Sequence, residues 1–151
     1  MSVKQYPAEV LATQPIGFWT GTADRAIVAY LRRTLAKEQL TLPQWWSLHQ
    51  IAAFPGRWTW DALAVRLAPF ACPGMEFGPV FAGLVVRGWA DDRDGTVRLT
   101  PAGDAGFAKA RARMEKAYAR IRDGITEAEF VAAVDVLRRM VDNVGEDSDL
   151  L

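Results

Sequence analysis

The stretch TWDALAVRLAPFACPGMEFGPVFAGLVVRGWADDRDGTVRLT, Thr59 to Thr100, decides the fold. Thr59 suits the N-cap of a short helix whose apolar positions Trp60, Leu63, Ala64 and Leu67 recur at helical spacing, and Pro69 stops that helix near Ala68. After a turn at Cys72, Pro73 and Gly74, a second helix carries Phe77, Val80, Phe81, Leu84 and Val85 on one face and ends at Gly88. Two strands follow, Trp89 to Asp92 and Thr96 to Leu99, around Asp94-Gly95, a dipeptide that tolerates positive φ at both hairpin positions. Helix, turn, helix and hairpin make a winged helix.

On the N-terminal side, residues 1–13 show no clear period and are expected as a loose arm or a short helical turn. Pro15 fits the first turn of a long helix in which Ile16, Trp19, Thr20, Ala23, Ile27, Tyr30, Leu31 and Leu35 keep one apolar stripe to about Lys37. Thr41 and Gln44 have capping-box spacing for the next helix, Leu42 to about Ala53, which buries Trp45, Leu48, Ile51 and Ala52 before Pro55-Gly56. On the C-terminal side, Thr100-Pro101 opens a helix to about Asp123, and Gly124 breaks it. Thr126 and Glu129 repeat the capping box, and Phe130, Val134, Leu137, Val141 and Val144 then alternate steps of four and three, a coiled-coil seam. A seam on a terminal helix has too little single-domain core left to cover it, so a homodimer is expected.

The expected fold is therefore mainly α with a small β-wing, in a single domain over residues 1–151. A winged helix-turn-helix lobe occupies about 41–100, N- and C-terminal helices over about 14–38 and 101–145 form a dimerisation stem, and residues 146–151 are an acidic, disordered tail. At 151 residues, half of them hydrophobic, the chain is long enough for a core, and its 18 basic and 18 acidic residues draw it to neither nucleic acid nor an anionic membrane. One cysteine, Cys72, excludes an internal disulfide, and no apolar run suits a membrane span or signal segment; a soluble cytoplasmic protein is expected. With one cysteine and one histidine, no transition-metal site forms within one subunit, and no catalytic triad or phosphate loop is visible; neither a cofactor nor an enzymatic activity is expected.

The order of elements, Leu40-Thr41-Leu42-Pro43-Gln44-Trp45 at the start of the second helix, Thr59, Arg87-Gly88-Trp89 at the wing base and Leu99-Thr100-Pro101-Ala102-Gly103 after it resemble the MarR family of winged-helix regulators over nearly the whole chain. The resemblance implies a dimer joined through the first, fifth and sixth helices. It further implies paired lobes that meet successive major grooves, and often a small-molecule pocket between lobe and stem. The implied function is a DNA-binding transcriptional regulator with a small aromatic or apolar effector. The turn before the reading helix is longer than in ordinary members, and the wing is shorter.

Candidate DNA-binding residues are Met75, Glu76, Gly78, Pro79, Arg87 and Arg93, the last by analogy with the family's wing arginine; a surface pair with Asp91 or Asp94 is its structural alternative. The segment Pro73 to Pro79 offers no cation, hydroxyl or amide for phosphates or base edges, although Glu76 can accept from a cytosine amino group. From Gly56 to Leu99, Arg57, Arg66, Arg87, Arg93 and Arg98 balance Asp61, Glu76, Asp91, Asp92 and Asp94, so the neutral lobe predicts weak double-stranded DNA binding with a shallow salt slope. Candidate ligand-binding residues are Trp19, Tyr30, Trp45, Trp46, His49 and Trp60; adjacent Trp45 and Trp46 point about 100° apart on a helix and cannot share one core face. The competing reading is a winged-helix dimer with reduced or lost DNA binding that serves as a small-molecule or protein-binding module.

Overall fold

The computed structural model describes residues 3–151, so the first two residues of the expected arm lie outside the described residues. Backbone contacts divide the chain into two compact units, one ending at Met114 and the other Glu115–Leu151. The first unit holds α1 (Ala8–Leu11), α2 (Ile16–Ala36), α3 (Leu42–Ala53), α4 (Trp60–Leu67), α5 (Gly78–Val86), β1 (Ala90–Arg93), β2 (Thr96–Leu99) and the start of α6 (Pro101–Ile121). The second holds the end of α6, then α7 (Glu127–Asn143). The winged-helix architecture expected from residues 59–100 is observed.

Local chemistry sets the element ends. Thr41 and Gln44 form both bonds of the capping box on α3, and the Thr59 hydroxyl accepts from the Ala62 N–H at the start of α4. Pro69 does end α4, with a 3-10 turn over Ala68–Phe70 completing the exit. At the end of α5, Gly88 takes φ +75° while its N–H and that of Trp89 donate to the Val85 and Leu84 carbonyls, the reciprocal pattern of a Schellman cap. Trp89 is thereby held in the cap, and β1 starts one residue later than expected. Asp94 and Gly95 turn the hairpin at φ +54° and +78°, pairing Ala90 with Leu99 and Arg93 with Thr96.

The lobe core is a cluster of Ile51, Trp58, Leu63, Leu67, Phe77, Phe81 and Val97, which ties α3, α4, α5 and β2 together. The Val97 N–H donates to the Trp58 carbonyl at 2.8 Å and pins the segment before α4 to the hairpin. On α5 the buried residues are Phe81 and Leu84, and Phe77 at its N-cap continues their line at helical spacing. Val85, expected on that face, is 46 % exposed because it follows Leu84 by one step of about 100° and points outward.

Arg87 fastens α5 to the end of α2. Its Nη1 and Nη2 donate to the carbonyls of Gln39 (2.7 Å) and Glu38 (2.9 Å), and its guanidinium lies 3.9 Å from the Trp89 ring centroid. Gln39 turns the chain with φ +56°, so these carbonyls lack helical partners of their own. Arg87→Ala is expected to lower unfolding stability by about 2 kcal/mol, read from urea denaturation. Arg87→Lys should recover less than half of that, because an ammonium cannot reproduce the planar fork.

In the second unit, Gly124 and the Thr126–Glu129 capping box start α7. The Glu129 carboxylate accepts from the Thr126 N–H and hydroxyl, both at 2.8 Å, and these bonds hold it below the usual carboxylate range. The seam residues Phe130, Val134, Leu137 and Val141 keep 38–41 % of their surface exposed. Residues 146–151 carry no regular secondary structure, and the Arg138 Nε donates to the Ser148 carbonyl at 2.7 Å. In the first unit, α2 buries Leu31 and Leu35 near its end while Ile16, Phe18, Trp19 and Ile27 stay exposed.

Candidate nucleic-acid interface

The surface that a helix-turn-helix turns toward a major groove is here the outward side of α5, flanked by the turn before it and by the hairpin. None of the nine side chains of GPVFAGLVV carries a nitrogen or an oxygen atom. Gly78, Pro79, Ala82, Val85 and Val86 are exposed, Val86 to 88 %. Of these, Gly78, Ala82, Val85 and Val86 line a shallow groove of about 380 Å³ with Trp60 and Phe81. The Trp60 ring packs 4.9 Å from the Phe81 centroid, and its Nε1–H donates to Asp92 at 3.2 Å, which fixes the hairpin beside α5.

The DNA-binding candidates fall into four different settings. Glu76, Gly78 and Pro79 are exposed where α5 begins, Pro79 in its second position. Met75 is half-buried against the lobe core, with its N–H donating to the Cys72 carbonyl at 3.0 Å. Arg87 is engaged with the Glu38 and Gln39 carbonyls just after α2, whereas Arg93 is exposed at the hairpin turn. Among the other lobe charges, Asp91 accepts from Arg98 at 2.7 Å, and Arg57 sits over Phe54 and Trp58 at 5.1 and 5.2 Å. On α6, Arg113 pairs with Glu38, and that hydrogen bond holds Glu38 below the usual carboxylate range.

The ligand candidates are spread over different parts of the first unit. Trp19 is exposed, donates to the Gln14 Oε1 at 3.3 Å, and helps line an open cavity of about 440 Å³ with Tyr6, Leu11, Gln14 and Ile16. Trp45 is buried and stacks on Phe107 at 5.4 Å, with exposed His49 at 5.8 Å from Trp45 and 6.3 Å from Phe107. Trp46 packs on Phe70 at 5.5 Å, Trp60 belongs to the α5 groove, and Tyr30 is half-buried on α2. Periodicity could not reveal that Phe107, from α6, joins Trp45 and His49. The exposed Ala82, Val85 and Val86 carried one signal, a helix with no polar residue to turn outward. Among the described residues, no group of three or more His, Cys, Asp or Glu is placed to hold a metal ion, and no helix is long and apolar enough to cross a membrane.

No protein-family model matches the chain, and no curated protein matches it. Solved structures do. The transcriptional regulator PcaV of Streptomyces coelicolor superposes with a TM-score of 0.70 at 20 % identity, covering 87 % of this chain and 98 % of that one. A MarR family transcriptional regulator of Silicibacter pomeroyi gives 0.67 at 17 % identity, covering 92 % and 99 %. A MarR family protein of Mycobacterium tuberculosis, solved in complex with DNA, gives 0.64 at 22 % identity, covering 88 % and 99 %. These likenesses show the fold: the chain is built on the winged-helix scaffold found in MarR family regulators.

Proposed function

We propose that the chain is a homodimeric, DNA-binding transcriptional regulator. The observation that carries this reading is the α4–α5 helix-turn-helix with its hairpin wing, in a fold shared along most of its length with regulators, one of them solved on DNA. The contacts follow from the lobe chemistry. Arg57, Arg66 and Arg93 are the lobe arginines that meet no carboxylate or carbonyl among the described residues, and they supply phosphate contacts, while α5 and Glu76 face the bases. The exposed apolar residues of α2 and α7 support pairing with a second copy. The open cavity beside Trp19 supports a small aromatic or apolar effector, which a titration of tryptophan fluorescence would detect.

The test is binding of the full chain to its own upstream DNA and to random duplex, at low and at physiological salt. Preference for the upstream DNA is expected. Three arginines per lobe neutralise about six phosphates in a dimer, so the slope of log K against log salt should be no steeper than about −5. Equal binding to both duplexes, or none to either, would sink the regulator reading.

A further inference from the structure

The lobe presents few cations, and α5 has no hydrogen-bonding side chain, so whatever α5 itself reads beyond the reach of Glu76 is another property of the major groove. Its edges offer one apolar group, the 5-methyl of thymine. We infer that α5 reads thymine by this methyl group, through Pro79 and Ala82 near its N-terminus and Val86 at its far end. The inference rests on the DNA-binding reading above and names what that surface recognises.

Geometry supports the assignment. Residues 79, 82 and 86 follow at steps of three and four, so their side chains share one side of the helix, opposite buried Phe77, Phe81 and Leu84. At 1.5 Å rise per residue they span about 10 Å, close to three base-pair steps. The N-terminal residues of a groove-bound helix approach the base edges most closely, which places Pro79 and Ala82 foremost. Proline at the second position removes one of the free N–H groups at the helix start, so residue 79 itself presents no backbone donor. A methyl group held against Pro79 and Ala82 leaves water without leaving any polar atom of α5 unpaired, whereas a cytosine amino group in the same place would lose its water partner and gain none.

The experiment uses duplex enriched from a random pool by the full chain. Thymidines are then replaced one at a time by deoxyuridine, which deletes the methyl and keeps O4 and the base pair. Each contacted position should weaken binding about fourfold, the effect of one methyl group removed from an apolar contact. Replacing the same T·A pair by C·G should weaken it further, and 5-methylcytosine should recover part of that loss. Ala82→Gln, an exposed substitution with good helix propensity, should abolish the difference between thymidine and deoxyuridine at one position per half-site. A fully deoxyuridine duplex bound as tightly as its thymidine parent would overturn the methyl reading while leaving DNA binding intact. An Ala82→Gln protein with unchanged methyl dependence would overturn the assignment to this face. Failure of the pool to enrich any sequence would overturn the regulator reading, and this one with it.

Discussion

Replacing Gly103 by alanine is expected to destabilise the lobe by about 3 kcal/mol or more, although alanine in a helix interior ordinarily gains about 1 kcal/mol over glycine. The reversal comes from one contact. A Cβ on Gly103 would lie 1.9 Å from the Trp89 carbonyl oxygen and 2.8 Å from its carbon. That carbonyl cannot retreat: it accepts from the Thr100 N–H at 3.0 Å, and the Trp89 N–H is bound to Leu84 at 3.0 Å. Thr100 is itself fixed, its hydroxyl accepting from the Gly103 N–H at 3.0 Å and donating to the Gly88 carbonyl. Alanine at 103 must therefore open the junction between α5, the wing and α6. Gly106 provides the control, because its added Cβ would meet the Trp89 ring at 2.2 Å rather than backbone. Trp89→Ala should relieve much of the Gly106→Ala penalty and none of the Gly103→Ala penalty. Urea midpoints at one fixed protein concentration would measure both. Equal stability of Gly103→Ala and the parent would mean that Trp89 and α6 do not approach in this way.

This junction marks the boundary of what local chemistry in the sequence makes legible. Thr41 with Gln44, Thr126 with Glu129, Pro69, and Asp94 with Gly95 each act within a few residues, and each occurs where such short-range rules place it. Trp45 and Trp46 do part company, one buried on Phe107 and one half-buried on Phe70, as the angle between helical neighbours requires. Their partners lie in other elements and leave no periodic trace. Arg87 was legible as a cation beside the wing, but its partners are carbonyls 48 and 49 residues earlier. Trp60 and Asp92 are joined across 32 residues by a single hydrogen bond. Val85 shows a different limit: in a helix of apolar residues only, hydrophobicity cannot say which side faces the core.

Leu137→Asp is expected to convert the protein from dimer to monomer at micromolar concentration. Leu137 lies centrally in the seam Phe130, Val134, Leu137 and Val141, whose steps of four, three and four place all four residues along one line of α7. Each retains 38–41 % exposure, more than a core position tolerates, and they stand beside a capped helix start that gives the line a firm register. In a twofold dimer the substitution acts twice. Losing two leucine burials forfeits roughly 4–6 kcal/mol, which weakens association by three to four powers of ten even before the cost of bringing a carboxylate against apolar surface. Sedimentation should show the parent as a dimer and the variant as a monomer with unchanged helical circular dichroism, since the exposed site asks little of the fold. DNA affinity should fall with it, because two lobes held together bind one duplex at a high effective concentration and a single neutral lobe does not. A variant that remains dimeric would exclude this face as the interface. A monomeric parent would exclude the dimer itself and leave the α7 seam without the function proposed for it.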